Sequence, residues 1–412
     1  MENVIKNKRV ILAVCGGIAA YKSVEILRLL KKADAEVRVV LTRNAQRFVG
    51  ALTFEALSGQ PVFKDMFQED SEASFRHIDW AREADGVIIA PATANMIGKL
   101  ANGIADDPLS TFMLAVTSPV VICPSMNIHM YASKAVQRNL DTLRSDGYVV
   151  MEPGSGQLAC GTSGPGRLPE PEEIFDRFLG CLSPKDLAGK KILVTAGPTI
   201  EPIDPVRFIS NPSSGKMGFA VARAAEHRGA EVTLISGPTH LADPMNVTTI
   251  RVRTAEEMAH QVFELMENAE VIIKSAAVSD YRPKESKMHK IKKGQSEMVL
   301  RLQKNKDILK TLGQKKKHQV LVGFAAETRE LKKNATQKLA EKNLDIIAGN
   351  LIGSADSGFA SDTNTVTLFF KDGTTESLPA MNKMEVAHIL LDRVVAKELS
   401  AAAASKRTKK EK

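Results

Sequence analysis

Short apolar runs alternate with amphipathic stretches along the first half of the chain. The runs are rich in β-branched residues and nearly continuous, which is typical of strands buried on both faces of a parallel sheet. They occupy residues 9–15, 36–42, 86–92, 119–125 and 147–153. Between them, segments such as AAYKSVEILRLLKK and SKAVQRNLDTLRSDG place apolar residues at helical spacing. The alternation predicts a doubly wound α/β sheet.

The same pattern restarts after the segment 179–191, with KKILVTAGP and later runs such as EVIIKSAA and QVLVGFAAE. The chain is therefore predicted to hold two α/β domains, each flavodoxin-like or Rossmann-like. Residues 364–379 predict a hairpin with Asp372-Gly373 as its two-residue turn. We expect the domains to span residues 1–185 and 186–402, followed by a basic, disordered tail at 403–412.

Composition narrows the class of protein. The chain has 412 residues, 43% of them hydrophobic, and its four cysteines are too few for a disulfide framework, which favours a reducing cytoplasm. An 18-residue apolar run and an apolar signal core are both absent from the sequence, so we expect neither a membrane span nor export. Half of the net charge of +8 comes from the tail, and the internal cluster KMHKIKKGQ has few aromatic neighbours. A nucleic-acid partner is therefore not expected.

A glycine turn follows the first predicted strand, in AVCGGIAAYKS. Gly16 and Gly17 would let backbone N–H groups approach a phosphate at the start of the next helix. The dinucleotide fingerprint GxGxxG is absent, so a mononucleotide such as FMN fits better than a dinucleotide. A tight turn between strand and helix explains the glycines nearly as well.

Polar side chains follow two later strands of the first half. Thr93 and Asn95, in APATAN, would either contact a ligand at the sheet edge or cap the next helix. Asp106 and Asp107 could ligate a metal, but helix capping is the favoured interpretation. Asn127, in PSMNIHM, could hold a carboxylate or serve as another cap.

His77 stands just before a predicted helix, in SFRHIDWAREAD. The positive end of the helix dipole would favour neutral imidazole, which is a usable base near pH 7. A single histidine among eight is more often structural, so both interpretations stay open.

In the second half, a long polar segment at 195–218 ends in SSGKMG just before a helix. It lacks the P-loop pattern, but its backbone could still form an anion-binding nest. Asp280 then leaves a strand end and is followed by several lysines. A carboxylate for Mg²⁺ beside lysines for phosphates suits nucleotidyl transfer, whereas the lysine run alone is more typical of a solvated loop.

The stretch LACGTSGPGR, at 158–167, places Cys160 among three glycines and a proline. It is either a surface linker or a flap that carries a thiol to a substrate. In the second case, Gly161, Gly164 and Gly166 would give the flap its mobility and Arg167 would help to hold an anionic substrate.

Taken together, these motifs resemble the bifunctional family of bacterial coenzyme A biosynthesis that fuses phosphopantothenoylcysteine decarboxylase to phosphopantothenate–cysteine ligase. The resemblance covers nearly the whole chain apart from the tail. In the first half it rests on GGIAAYK, APATANxI, PxMNxxM and ACGxxGxGR, and in the second on DPVRFISNxSSGKMG, SAAVSDY, KIKK and GFAAET.

The resemblance implies that the first half is a flavodoxin-like domain of the homo-oligomeric, flavin-containing cysteine decarboxylase type. It would use FMN for an oxidative decarboxylation and re-reduction that yields 4′-phosphopantetheine, with flavin sites built between subunits. His77 matches the base, Asn127 the amide that orients the carboxylate and Cys160 the proton donor. The implied FMN residues are Gly17, Ser23, Thr42, Pro91, Ala92, Thr93, Asn95 and Ser110.

The second half, by the same resemblance, is a Rossmann-like ligase that uses CTP and Mg²⁺. CTP would activate 4′-phosphopantothenate as an acyl-cytidylate, which the amine of cysteine then attacks. Asn211 and Lys290 match residues tied to this intermediate, and Asp280 matches a residue that handles the metal and the nucleotide. Phe324, Lys338 and Lys342 would lie near the nucleotide.

Two other function classes remain compatible with two Rossmann-like halves and a basic tail. One is an oxidoreductase with a loosely held nucleotide. The other is a non-enzymatic protein that binds nucleotides or nucleic acid.

Overall fold

The computed structural model describes residues 4–66, 76–157, 161, 163–292, 298–351 and 363–410. The chain divides into two compact units between Ser183 and Pro184, two residues before the predicted domain boundary. Each unit is described by itself below.

The N-terminal unit contains a five-stranded parallel sheet and an antiparallel hairpin. Its strands are β1 (Arg9–Val14), β2 (Glu36–Leu41), β3 (Gly86–Ala92), β4 (Val120–Pro124), β5 (Val149–Val150), β6 (Gly154–Gln157) and β7 (Ser163–Arg167). Its helices are α1 (Lys22–Lys32), α2 (Ala51–Ser58), α3 (Arg76–Glu83), α4 (Ala94–Ala101), α5 (Pro108–Met113), α6 (Ile128–Tyr131), α7 (Lys134–Ser145) and α8 (Pro171–Leu182). The sheet order is β2-β1-β3-β4-β5, and β6 pairs with β7.

Helices cover both faces of this sheet, as the continuous apolar runs predict. In β1, Val10 and Leu12 pack into one core cluster, whereas Ile11 and Ala13 pack into the cluster on the opposite face. A strand with both faces buried needs apolar residues at every position, which explains the absence of alternation.

The C-terminal unit is built on an eight-stranded sheet. Its strands are β8 (Lys191–Ala196), β9 (Ile200–Pro202), β10 (Phe208–Ser210), β11 (Glu231–Ser236), β12 (Thr248–Arg251), β13 (Val271–Lys274), β14 (Tyr281–Pro283), β15 (Leu302–Lys304), β16 (Val320–Glu327), β17 (Ile346–Leu351), β18 (Thr363–Asn364), β19 (Val366–Phe370), β20 (Thr375–Ser377) and β21 (Met381–Asn382). Its helices are α9 (Lys216–His227), α10 (Ala255–Leu265), α11 (Ile308–Lys315), α12 (Leu331–Glu341) and α13 (Lys383–Lys410).

The main sheet has the order β12-β11-β8-β13-β16-β17-β19-β20. Its first six strands are parallel, and β19 and β20 join as antiparallel edge strands. The remaining strands form three two-stranded pairs, β9 with β10, β14 with β15 and β18 with β21. Both units are therefore α/β, as predicted from the alternating pattern.

The hairpin predicted at 364–379 forms between β19 and β20, but its turn differs from the predicted one. The backbone N–H of Phe370 donates to the carbonyl of Thr374, so the loop contains three residues and not two. Gly373, the third of them, has a φ of +87°. A three-residue loop ending in a left-handed glycine is the type I turn with a bulge, and the Asp-Gly pair fits both turn types.

The C-terminal helix includes most of the segment at 403–412 that the sequence predicts to be a basic tail. α13 runs to Lys410. Four consecutive alanines, at 401–404, precede the basic residues, and alanine has the highest helix propensity. Among the helices of the described ranges, none is long and apolar enough to cross a membrane.

A buried arginine connects three segments of the C-terminal unit. The side chain of Arg228, just after α9, is 1% exposed and forms ion pairs with Asp186 and Asp392. Its Nη1 also donates to the carbonyl of His388 at 3.0 Å. A buried guanidinium is tolerated because carboxylates and a carbonyl accept its hydrogen bonds.

We predict that Arg228→Met destabilises the C-terminal unit by about 3 kcal/mol, because two half-buried carboxylates lose their counter-charge. Denaturant unfolding of the purified chain measures the change. Arg301→Met, which removes an exposed arginine of the same unit, is the control. Equal stabilities of the two variants would contradict a structural role for the Arg228 ion pairs.

Candidate functional sites

A cavity of about 630 Å³ lies at the carboxyl edge of the N-terminal sheet. Its walls come from the loops after β1, β3 and β4 and from the β6–β7 hairpin. The lining residues include Gly16, Gly17, Thr93, Ala94, Ser125, Met126, Asn127, Met130, Gln157 and Arg167. Open parallel sheets bind ligands at this edge, and the volume falls within the range of cofactor pockets.

Backbone hydrogen bonds keep the three loops side by side where they leave the sheet. The N–H of Cys15 donates to the carbonyl of Pro91 at 3.2 Å, and the N–H of Ser125 donates to the carbonyl of Ala92 at 3.0 Å. The ladder of the sheet thus continues past the ends of the strands. The cavity lies just beyond the last of these hydrogen-bonded pairs.

Two of the residues predicted to hold FMN, Gly17 and Thr93, line this cavity. Thr93 also caps α4, with its Oγ1 accepting from the N–H of Met96 at 3.4 Å. The predicted cap is therefore confirmed, and the same threonine also lines the cavity.

The other six predicted FMN residues surround the loops without lining the cavity among the described residues. Pro91 and Ala92 are buried at the end of β3, and the hydroxyl of Ser23 donates to the carbonyl of Ala90 at 2.6 Å. Thr42 accepts from the N–H of Ala45, Asn95 is exposed on α4, and Ser110 forms a capping box with Asp107 at the start of α5. The favoured capping interpretation of Asp107 is therefore confirmed.

The three predicted catalytic residues of this half fall in different places. Asn127 lines the cavity as the N-cap of α6, and its Oδ1 accepts from the N–H of His129 at 2.8 Å. His77 lies in the first turn of α3 and does not line the cavity of its own chain, as far as the described residues go. Cys160 lies outside the described residues.

Glycines of the β6–β7 hairpin pack closely against the loop that carries Asn127. Gly164 and Gly166 have φ values of +154° and +146°. A Cβ on Gly166 would lie 2.2 Å from the carbonyl oxygen of Met126, and one on Gly164 would lie 2.2 Å from Cδ1 of Ile128. This contact and the positive φ already require glycine at both positions, so the predicted flap mobility is not needed to explain them.

Charged groups lie at one wall of the same cavity. The Nζ of Lys22 is 2.8 Å from the carboxylate of Glu170, and an Nη of Arg167 is 3.9 Å from it. Lys22 and Arg167 both line the cavity. Two cations facing one carboxylate leave this wall positive, which suits an anionic substrate.

A second cavity, of about 440 Å³, lies at the carboxyl edge of the C-terminal sheet. Its walls come from the start of α9, the loop after β13 and the end of β16. Among the lining residues are Asn211, Ser214, Lys216, Lys274, Asp280, Phe324, Lys338, Asn350, Asn364 and Lys383.

The loops around this cavity are again joined by backbone hydrogen bonds. The N–H of Ser275 donates to the carbonyl of Thr195 at 3.2 Å, and the N–H of Ala277 donates to the carbonyl of Gly197 at 2.9 Å. The side-chain amide of Asn211 donates to the carbonyl of Val278 at 3.2 Å. The loop after β13 therefore fixes the position of Asn211.

The start of α9 approaches the end of β8 closely. A Cβ on Gly218 would lie 2.6 Å from Cβ of Ala196, and Gly215 has a φ of +76°. These glycines let the first backbone N–H groups of a twelve-residue helix face the cavity. Such a helix terminus favours anions, in agreement with the predicted nest.

Four of the six residues predicted for the ligase line this cavity: Asn211, Asp280, Phe324 and Lys338. Lys342 forms an ion pair with Asp307 at 2.9 Å and is not part of the lining. Lys290 is exposed on the loop after β14 and does not line the cavity either, within the described ranges.

Lys274, Asn350, Asn364 and Lys383 also line this cavity and were not predicted from the sequence. One of them left a signal. Lys274 directly follows three fully buried residues of β13, where a central strand is expected to stay apolar. The other three come together only through the fold.

Asp280 is the predicted metal ligand. Within the ranges that the structure describes, no group of three or more histidine, cysteine, aspartate or glutamate side chains could hold a metal ion. Mg²⁺ is commonly bound by one or two carboxylates together with substrate phosphates. A single carboxylate beside a helix start that favours anions therefore fits Mg²⁺ bound together with a phosphate ligand.

Asp204 anchors the loop that carries Lys290. Its buried carboxylate accepts from the backbone N–H groups of Val206, Arg207 and Ile291, and from the guanidinium of Arg207. Burial alone would raise the pKa of this carboxyl, but the four donors outweigh burial and hold the pKa below its usual range.

Comparisons with known proteins cover nearly the whole chain. The family model "Flavoprotein" matches residues 2–183, and the model "DNA/pantothenate metabolism flavoprotein C-terminal domain" matches residues 187–397. The chain is 49% identical over 396 residues to the coenzyme A biosynthesis bifunctional protein CoaBC of Bacillus subtilis, covering 95% of this chain and 98% of that one. It is 44% identical to the protein of the same name from Escherichia coli K12, covering 95% and 97%.

One solved structure, the C-terminal domain of a coenzyme A biosynthesis bifunctional protein CoaBC, is 45% identical and covers 52% of this chain and 99% of that chain. Its TM-score is 0.46.

We predict that Asp204→Asn speeds amide hydrogen exchange at Ile291 about tenfold, because the NH₂ group that replaces one carboxylate oxygen cannot accept. Exchange read by mass spectrometry at peptide resolution measures this. Asp243→Asn, which alters an exposed ion pair with Arg251, is the control.

The same carboxylate has a pH dependence with a defined sign. Its folded-state pKa is depressed, so its stabilisation is present above the ordinary aspartate pKa of about 3.9 and is lost as the pH falls below that value. Unchanged exchange in Asp204→Asn would show that Asp204 does not anchor the loop.

Proposed function

The chain belongs to the family of bifunctional coenzyme A biosynthesis proteins, and from that premise we propose that its two cavities are the two active sites. It is an enzyme with phosphopantothenoylcysteine decarboxylase and phosphopantothenate–cysteine ligase activities. The observation that carries the site assignment is the position of both cavities. In each unit, one of the two lies at the carboxyl edge of the parallel strands of the sheet, bordered by residues that the family resemblance singled out.

We assign the N-terminal cavity to the decarboxylase, with FMN as its cofactor. The flavoprotein family match supports a flavin, and the walls suit one: Ala94, Met126 and Met130 are apolar, and Gly17 leaves room for a phosphate. FMN bound here supplies a two-electron acceptor and donor. The eight FMN residues implied by the resemblance remain our assignment, with Gly17 and Thr93 supported by the cavity lining.

The side chains around this cavity have distinct proposed tasks. Lys22 and Arg167 attract the anionic substrate, and Asn127, its Oδ1 held by a backbone N–H, orients the carboxylate that is lost. His77 serves as the base, and Cys160 donates the last proton.

The position of His77 supports a homo-oligomer. Since it does not line the cavity of its own chain, we propose that the decarboxylase site is completed between subunits. Ile18, Tyr21 and Met130, which line the cavity, are exposed large apolar residues of the kind that interfaces cover.

The C-terminal cavity is the proposed ligase site. The carboxylate of 4′-phosphopantothenate attacks the α-phosphorus of CTP, pyrophosphate leaves, and an acyl-cytidylate forms. The amine of cysteine then attacks the acyl carbon, loses a proton and releases CMP. The start of α9 and Lys338 bind phosphate oxygens, Asp280 holds Mg²⁺, and Asn211 contacts the acyl-cytidylate.

Lys290 and Lys342 are assigned to the same reaction on the family resemblance. Lys290 lies on a loop that Asp204 anchors at Ile291. Lys342 is held by Asp307, so it acts on the nucleotide only if this ion pair opens. We place the enzyme in the cytoplasm, as the buried thiols of Cys15 and Cys123 suit a reducing compartment.

The experiment that tests this function follows products by mass spectrometry. Protein loaded with FMN is incubated with 4′-phosphopantothenate, cysteine, CTP and Mg²⁺, and 4′-phosphopantetheine, pyrophosphate and CMP are expected. Pyrophosphate release should need CTP, and equal activity with ATP would contradict the assigned nucleotide. Protein that binds no FMN would contradict the decarboxylase site.

We predict that Cys160→Ser and Lys290→Gln separate the two reactions. Cys160→Ser should still release CO₂ but form 4′-phosphopantetheine at least about 100-fold more slowly, because the proton donor is lost. Lys290→Gln should slow pyrophosphate release but release CO₂ normally when 4′-phosphopantothenoylcysteine is supplied directly, because only the ligase site is altered.

The matched controls are Cys181→Ser in α8 and Lys287→Gln in the same loop as Lys290. Both should retain both activities. Normal turnover of Cys160→Ser would refute its role as donor. Loss of CO₂ release in Lys290→Gln when 4′-phosphopantothenoylcysteine is supplied directly would show that the domains are assigned wrongly.

A further inference from the structure

Lys274 ends the central strand of the C-terminal sheet, at a position where the pattern calls for an apolar residue. It follows Val271, Ile272 and Ile273, which are fully buried. Its strand, β13, lies between β8 and β16 in the middle of the sheet. Lysine is rarely placed in such surroundings unless its charge has a partner.

The ammonium group of Lys274 has little to pair with inside the protein. Its Nζ donates to the carbonyl of Ala276 at 3.3 Å, beyond the usual range for such a bond. In the part of the chain that the structure describes, no carboxylate lies within ion-pair distance of it. A half-buried ammonium that faces a cavity with one long hydrogen bond is suited to bind an anion.

The charges around Lys274 also favour an anion in this cavity. Removal from water and the positive charge of Lys342 lower the pKa of Lys274 to about 8, although Asp307 and Asp280 act in the opposite direction. The other elements of the wall add cations: Lys216 from α9, Lys338 from α12 and Lys383 from α13.

Lys342, which the resemblance placed near the nucleotide, is held by Asp307 at 2.9 Å and lies outside the lining. Lys338 is paired with Glu327 at 2.6 Å. Lys274 therefore combines a place in the wall with an ammonium that lacks a carboxylate partner.

We propose that Lys274 is a further binding residue of the ligase site, whose ammonium contacts the triphosphate of CTP. The proposal rests on the proposed ligase function of this cavity. The same ammonium could contact the phosphate of 4′-phosphopantothenate, so the experiment examines the two ligands separately.

The experiment measures equilibrium binding by titration calorimetry on the full chain, with CTP and Mg²⁺ in one titration and 4′-phosphopantothenate alone in another. Lys274→Met should weaken CTP binding at least about tenfold, the effect expected for a hydrogen bond to a charged group. Lys274→Arg keeps the charge and should stay within about threefold of the wild type. Lys332→Met, which removes an exposed lysine on α12, should bind normally.

A pH series gives a second readout that a merely structural role would not change. Only the protonated lysine attracts phosphate, so the affinity of the wild type should fall as the pH rises above about 8. Ionisation of the nucleotide does not contribute to this fall in affinity, because its phosphate loses its last proton near pH 6. The affinity of Lys274→Met should not fall in this way. If that variant does not fold, Lys274→Arg and the wild-type pH series decide.

Equal CTP affinity of Lys274→Met and the wild type would overturn the inference and leave the ligase site standing. Weaker binding of 4′-phosphopantothenate with unchanged CTP binding would overturn the choice of nucleotide. If the wild type itself binds no CTP, the proposed function fails, and the inference fails with it.

Discussion

Both sites depend on hydrogen bonds that extend the parallel ladder beyond the strands. In the N-terminal unit, Cys15 pairs with Pro91 and Ser125 with Ala92. In the C-terminal unit, Ser275 pairs with Thr195 in the same way. Because these bonds hold neighbouring loops together at their roots, each cavity has walls of backbone that are already positioned. The conformational entropy of these loops is therefore lost during folding, so ligand binding does not have to order them again.

One asparagine in each unit is fixed by a hydrogen bond to the main chain, but through opposite ends of its side-chain amide. The backbone holds the carbonyl end of Asn127 through the N–H of His129, and it holds the amide end of Asn211 through the carbonyl of Val278. In each case a main-chain group sets the rotation of the side chain. The two reactions that we assign to these sites both need a polar group at a fixed angle to a carboxyl or acyl carbon.

The electrostatics of the two cavities differ in the way that the two proposed sites require. The N-terminal cavity combines apolar walls with one cationic side, where Lys22 and Arg167 face Glu170. The C-terminal cavity is surrounded by lysines and by the start of α9. An apolar wall suits a flat ring system, whereas lysines and helix N–H groups suit phosphates.

The sequence by itself determined both α/β units, because a strand buried on both faces must be apolar throughout, and this pattern is local. It also singled out Asp280, because residues that follow parallel strands meet at one edge of the sheet, whereas Asn211, Phe324 and Lys338 were predicted only through the family resemblance. Only the tertiary structure decided that Lys274 faces the cavity while Lys342 pairs with Asp307, and that Gly164 and Gly166 serve a close contact. Ion pairs and close backbone contacts depend on the distances between segments that are far apart in the chain. The spacing of residues along the sequence does not determine those distances.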